Sequence, residues 1–265
     1  MKDMMSAVLT LAGLGLGFGL LLAWVSKKFH VEVDPRITKV TELLPGINCG
    51  ACGLAGCSSL AEALIEQKTS LAACIACSAE GKKAIIEVLG LFGEQVAEKL
   101  AQIAVVHCNG GTRCADKFKY EGLSDCCVAS QTMAGYKLCQ YACVQEANCV
   151  TACPFGAIQM QAERLPKVDP ELCRGCKKCV KGCPRNLFSM IDKKKKVYIK
   201  CSSQEKAALM MKKCKVGCIA CGKCVKECPV SAIVITNNLA VIDYEKCVGC
   251  TKCVSVCPTK VIAVV

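Results

Sequence analysis

The sequence predicts an α+β protein in four parts: one apolar helix, a small helix-rich domain, and two tandem modules in which short strands flank cysteine runs. Three observations predict it. Met4 to Val25 carries no charge; the string C-x2-C-x2-C-x3-C-P recurs at Cys173–Pro184, Cys218–Pro229 and Cys247–Pro258; and β-branched segments such as "AIVI" and "VIAVV" follow the cysteines. The chain has 265 residues and 27 cysteines. So much sulfur marks either a disulfide scaffold or a protein built around metal. An odd count, a long chain, and thiols separated by two residues, whose loops constrain little, argue against the scaffold.

Taken in order, the uncharged run of 22 residues makes a helix of about 33 Å at 1.5 Å per residue, enough to cross a bilayer. It is long for a secretory signal, Lys2 is offset by Asp3, and no small-x-small cleavage site follows. It therefore reads as a transmembrane anchor over residues 1–28, with membrane lipid as its first partner. Lys27, Lys28, Arg36 and Lys39 follow at once. The positive-inside rule then places the remainder on the cytoplasmic side of the inner (cytoplasmic) membrane, where thiols stay reduced. Gly13/Gly17 and Gly15/Gly19 form small-xxx-small pairs, which either admit a partner helix or are simply tolerated in lipid.

The second part, residues 29–106, contains "LPGINCGACGLAGCSSLAEAL" and then Cys74. Cys49, Cys52, Cys57 and Cys74 supply four thiolates locally, enough to close an iron–sulfur cubane, with Cys77 as an alternative to Cys74 and zinc as the competing metal. Ser59 and Glu62 read as a capping box opening a helix through Leu60, Ala63 and Leu64. Downstream, Ile85, Val88, Leu89, Phe92, Val96, Leu100 and Ile103 share one helical face, with a break expected at Gly90 and Gly93. These are core positions. His107 reads as structural, not as a ligand.

The third and fourth parts, residues 107–200 and 201–265, carry the compact runs. Zinc sites usually separate two C-x2-C elements by a dozen or more residues. The spacing here is that of bacterial-type two-cluster ferredoxins, in which three thiolates hold one [4Fe-4S] cubane and the fourth, before proline, ligates its neighbour. Runs must therefore come in pairs. Cys218, Cys221 and Cys224 would share Cys257, while Cys247, Cys250 and Cys253 would share Cys228. Upstream, "CQYACVQEANCVTACP" offers looser spacing: Cys139, Cys143 and Cys149 would hold a cluster with Cys183, and Cys153 would complete the set of Cys173, Cys176 and Cys179. That makes five clusters. Cys77, Cys108, Cys114, Cys126, Cys127, Cys201 and Cys214 are left over, read as buried free thiols, with a further cluster from Cys108, Cys114, Cys126 and Cys127 as the rival.

An anchor, then "CGACGLAGCSSLAEAL", then ferredoxin runs resembles the B subunit of the Rnf complex over almost the whole chain. The resemblance implies an electron-transfer subunit of a membrane translocase that links ferredoxin to NAD and exports Na⁺ or H⁺, with ferredoxin and the other Rnf subunits as partners. Cys49, Cys52, Cys57 and Cys74 match that family's N-terminal site. The Cys139–Cys183 region matches its first ferredoxin module, and the Cys218–Cys257 pair its longer versions. The alternatives are a membrane-tethered redox sensor and a polyferredoxin serving another dehydrogenase. No GxGxxG follows a strand, so no NAD site of its own is expected.

The formal charge of +12 would ordinarily point to an anionic partner. An oxidised cubane with four thiolates carries about −2, so five clusters bring the total to roughly +2. No nucleic-acid motif accompanies the lysines. Yet Arg164 to Lys226 holds 18 of the 34 basic residues and only four acidic ones. Lys193, Lys194, Lys195 and Lys196 within it are either a solvated turn or part of a docking face for an acidic ferredoxin.

Overall fold

A computed structural model describes residues 2–28, 34–90 and 102–265. Helix α1 spans Lys2–Lys28, and its described apolar side chains, from Met5 to Trp24, are exposed. It is the one helix among the described residues that is long and apolar enough to cross a membrane. At its end the Lys28 ammonium lies 4.9 Å from the centre of the Trp24 ring, an amphipathic pair suited to a headgroup layer.

The small helical domain follows. Helices α2 (Pro35–Leu43), α3 (Cys57–Ile65) and α4 (Ala79–Leu89) enclose Val40, Leu60, Leu64, Leu71 and Ile85, with Cys74 and Cys77 at the edge of the same core. Each apolar side chain so buried stabilises the domain by about 1.5–3 kcal/mol. Helix α3 begins two residues before the expected capping box. Its N-cap, Gly56, has no side chain to offer, and Asn48 Oδ1 accepts the Cys57 N–H instead, at 2.8 Å. Ser59 therefore lies inside the helix. Leu60, Ala63 and Leu64 are buried as expected.

Helix α4 stops where glycine permits it: Gly90 adopts φ 60°, ψ 40° and its N–H returns to the Ile86 carbonyl. The expected helical face does not continue to residue 103. Ile103 belongs to strand β1 (Gln102–Val106), where the β-branched run "IAVV" is buried on successive positions. Phe92, Gly93, Val96 and Leu100 lie outside the described residues.

Beyond β1 the chain repeats one plan twice. In the first module, strands β2 (Ile158–Met160) and β3 (Pro166–Val168) form a hairpin, and β1 pairs antiparallel with β4 (Phe188–Asp192), Val106 opposite Phe188. In the second, β5 (Val197–Ile199) pairs with β8 (Ile262–Val264) around the hairpin of β6 (Ile233–Thr236) and β7 (Leu239–Ile242). Strand pairing thus joins residues 102–106 to β4 and residues 197–199 to β8. Helices α5 (Cys126–Gln131) and α8 (Ala207–Lys213) pack beside the modules. Four short helices, α6 (Asn148–Thr151), α7 (Lys178–Lys181), α9 (Lys223–Glu227) and α10 (Lys252–Ser255), each carry one cysteine of a run inward.

Sulfur occupies the centre of both modules. The first core combines Val106, Ile158, Leu187 and Phe188 with Cys108, Cys114, Cys139, Cys149, Cys179 and Cys214. The second combines Val197, Ile233 and Ile262 with Cys201, Cys218, Cys224 and Cys253.

Candidate metal centres

The cysteine runs share a backbone as well as a spacing. Gln145 and Ala147, Gly175 and Lys177, Ala220 and Gly222, and Gly249 and Thr251 all have positive φ, and in every case the pair flanks the residue three before the cysteine carried by the short helix. A third left-handed residue recurs three positions after the cysteine that precedes proline, at Gly156, Asn186, Ser231 and Lys260. Most of these residues are not glycine, and each non-glycine costs of order 1–2 kcal/mol in this region. Such alternation turns successive backbone N–H groups into one concavity, which suits an anionic group. The structure supplies four such concavities.

The thiols converge accordingly. Cys153, Cys173, Cys176 and Cys179 line a cavity of about 320 Å³ with Ala104, Phe155, Ile158 and Met190. Cys218, Cys221, Cys224 and Cys257 line another of about 360 Å³. Around Cys253 lie Cys228, Cys247 and Cys250: burial first, and then these three, raise its thiol. Burial also pushes Cys179 up to about 12, with Cys173 and Cys176 adding to it. Cys224 rises to about 11, again by burial first and then by Cys218, Cys221 and Cys257. Thiols so disposed stay protonated unless a metal takes the proton's place. Four thiols, one or two of them buried and the others more open, around one pocket make a donor set that fits a [4Fe-4S] cubane.

The looser run resolves differently. Cys143, Cys149 and Cys183 line a cavity of about 400 Å³ as expected, but its fourth thiol is Cys126, while Cys139 lies elsewhere. The repeating φ pattern explains this. Aligned on Gln145 and Ala147, the run reads C-x2-E-x2-C-x3-C-P, with Glu146 where the other runs have their second cysteine. Cys126 fills that vacancy from α5. Asn148 fixes it there: its Oδ1 accepts the Cys126 N–H at 2.9 Å while its Nδ2 donates to Asp125 Oδ2 at 2.7 Å. Asp125 in turn caps α5 by accepting the N–H groups of Cys127 and Val128. Burial raises the Cys126 thiol, and the Asn148 and Glu146 backbone N–H groups oppose the rise. A sequence signal was present, since Cys143, Cys149 and Cys153 repeat the offsets of Cys173, Cys179 and Cys183.

Near α3, Cys49, Cys52 and Cys57 are half-buried and Cys74 and Cys77 are buried. The Cys77 thiol donates to Cys74, which lowers Cys74 to about 6 and raises Cys77. Cys49 is also a neighbour of Cys176, so this site adjoins the first module. Among the described residues no three candidate ligands converge tightly enough for a single metal ion.

The remaining residues divide. Cys127 is exposed, and Cys201 accepts the Cys218 N–H at 3.3 Å. Cys108, Cys114 and Cys214 meet Cys139 around a fourth cavity. His107 bridges the modules, with Nδ1 2.6 Å from the Ile199 carbonyl and Nε2 2.6 Å from Ser189 Oγ. Burial lowers its pKa, in keeping with a structural role. In the lysine run, Lys195 Nζ donates to the Cys247 carbonyl at 3.1 Å and Lys193 pairs with Glu171 at 3.4 Å; Lys193, Lys194 and Lys196 are exposed.

Comparison with known proteins agrees with this geometry. Residues 44–76 match the family model described as "Putative Fe-S cluster", a span that contains Cys49, Cys52, Cys57 and Cys74 but stops short of Cys77. Residues 172–233 and 217–261 match two models of a 4Fe-4S dicluster domain. Residues 77–171 lie outside these spans. Over 92% of its length, the chain is 38% identical to the B subunit of the Na(+)-translocating ferredoxin:NAD(+) oxidoreductase complex of Acetobacterium woodii, covering 74% of that protein. It is 39% identical to the B subunit of the ion-translocating oxidoreductase complex of Methanosarcina acetivorans, with 92% and 91% covered. It is likewise 39% identical to the B subunit of the proton-translocating ferredoxin:NAD(+) oxidoreductase complex of Clostridium ljungdahlii, with 92% and 85% covered.

Proposed function

The chain belongs to the family of B subunits of Rnf-type ion-translocating oxidoreductase complexes, and from that premise we propose that it is the membrane-anchored arm through which electrons from reduced ferredoxin enter such a complex. The observation that carries this reading is the succession of thiol sets from the N-terminal site through the first module. Cys49 neighbours Cys176, and Cys179 neighbours Cys149 across the first module. A [4Fe-4S] cluster takes up and releases one electron at a time.

The protein's own residues do the rest. Cys49, Cys52, Cys57 and Cys74 would hold the site nearest the anchor. Cys153, Cys173, Cys176 and Cys179 would hold one first-module site, and Cys126, Cys143, Cys149 and Cys183 the other. Cys218, Cys221, Cys224 and Cys257, and Cys228, Cys247, Cys250 and Cys253, would hold those of the second. One thiol of each run, on its short helix, is buried, whereas Cys221 and Cys250 stay exposed at the rim of their sets. Nicotinamide chemistry and ion movement belong to other subunits. The relatives' names divide between sodium and proton at nearly equal identity, which fits an ion chosen elsewhere in the complex. Helix α1 ties the arm to the inner membrane with its modules in the cytoplasm, supported by the lysines at the helix end.

Stopped-flow reduction of the full chain in detergent tests the reading. Reduced ferredoxin should bleach its visible absorbance within milliseconds to seconds, and NADH alone should not. Reduction by NADH without other subunits would overturn it.

A further inference from the structure

We propose that Cys108, Cys114, Cys139 and Cys214 hold a sixth [4Fe-4S] cluster, set between the two modules as the step that joins them. The inference rests on the reading above for its neighbours, but its own evidence is separate.

All four thiols line one pocket, as the sets at Cys153–Cys179, Cys218–Cys257 and Cys126–Cys183 line theirs. All four are buried, at 7%, 2%, 5% and 5% exposure in chain order. The backbone draws them together from distant segments. Cys114 and Cys214 form an isolated antiparallel bridge, and the neighbouring Ala115 N–H donates to the Lys213 carbonyl at 2.9 Å. Gly110 sits in their midst. A Cβ there would stand 3.0 Å from the Cys114 Cβ, 3.3 Å from the Cys214 sulfur and 3.7 Å from the Cys108 sulfur. Only glycine leaves that space open.

Charge supports the same reading. Lys137 is buried at 3% exposure, a costly place for an ammonium group unless it is compensated. Its Nζ lies 2.7 Å from Asp116 Oδ1 and donates to the carbonyls of Gly111 at 3.2 Å and Cys114 at 3.4 Å. It thereby clamps the Gly111–Cys114 loop that carries one of the four thiols. Four independent small hydrophobes would need neither a shared cavity nor this lysine.

The position gives the site its work. Cys108 neighbours Cys143 of the first module, and Cys201, on the same cavity wall, neighbours both Cys108 and Cys218 of the second. One electron from the cluster at Cys143 would reduce this site, which is reoxidised when the electron passes to the cluster at Cys218. No bond or proton need change. Without the site, the two modules have no cysteine set between them among the described residues.

The test is an anaerobic iron and sulfide count on the full chain reconstituted in detergent. Six sites of four irons predict about 24 iron per chain. Cys139→Ser and Cys214→Ser should each bring the count to about 20, because each removes a ligand of this site alone. Cys201→Ser should leave it at about 24, and Lys137→Met should preserve the iron while shifting the potential of one cluster. In both cysteine variants, reduction by ferredoxin should become biphasic, with the slow phase belonging to the module left beyond the gap. A wild-type count of about 20, unchanged in both variants, would overturn the sixth cluster and leave the other five. A count of about 16 or lower would instead fault the reading on which they rest. Should either variant fail to fold, the wild-type count decides.

Discussion

Asn148 and Cys126 lie 22 residues apart, and a 2.9 Å hydrogen bond from the Cys126 N–H to Asn148 Oδ1 seats a helix N-terminus over the one run that lacks a second cysteine. Removing that cysteine should cost a cluster, whereas its neighbour should be dispensable. Cys126→Ser is expected to lower the iron content by about four atoms per chain, and Cys127→Ser to leave it unchanged. Adding Glu146→Cys to Cys126→Ser should restore the lost iron, since it rebuilds the compact run. Metal analysis of the three proteins checks this; equal losses in the two single variants would refute the assignment.

At the N-terminal site, the proposal of Cys74 as fourth ligand separates it from Cys77, with which it shares a hydrogen bond. Cys74→Ser should release about four iron atoms, and Cys77→Ser should release none while loosening the packing around Ile85. The thermal midpoint should then fall by several degrees, the scale on which about 1 kcal/mol acts in a small domain. Iron counts and melting curves separate the two outcomes.

Iron removal should unfold the modules and spare the helices. The strands of both modules are three to five residues long, and thiols make up much of their cores. The helical domain, by contrast, encloses Val40, Leu60, Leu64, Leu71 and Ile85. On anaerobic chelation, far-UV circular dichroism should retain its helical minima, while proteolysis should advance through residues 102–265.

Deleting residues 1–28 should yield a soluble brown protein that keeps its iron. The described apolar side chains of α1 are exposed, so among the described residues the helix adds nothing to the buried core. Loss of iron from that fragment would show otherwise.

The lysine run is divided in purpose, and its variants should differ. Lys193→Glu with Lys194→Glu alters only exposed side chains, so the iron content should hold. Reduction by an acidic ferredoxin should slow several-fold at low salt, with a flatter dependence on ionic strength as the Debye length falls from about 10 Å at 0.1 M to about 3 Å at 1 M. Lys195→Glu should instead disturb the loop at Cys247, whose carbonyl it holds. If the rate ignores both salt and the double substitution, ferredoxin docks elsewhere.

The sequence by itself determined whatever is local. A C-x2-C-x2-C stretch closes three thiols around one point within seven residues, and the proline-marked cysteine names the neighbouring site. For this reason the cysteines grouped by spacing at Cys153–Cys179 and at Cys218–Cys257 also line common pockets. The apolar run at Met4–Val25 and the glycine stop at Gly90 were legible for the same reason, being consequences of hydropathy and of one residue's φ. Tertiary structure alone decided the rest. Cys126 could be placed only through Asn148, Ile103 became a strand because β4 lay ready to pair with it, and Cys139 was released to join Cys108, Cys114 and Cys214. Spacing carries no record of which distant segments will meet. That choice was made by strand pairing, by an isolated bridge between Cys114 and Cys214, and by a buried lysine that only the folded chain brings to the same place.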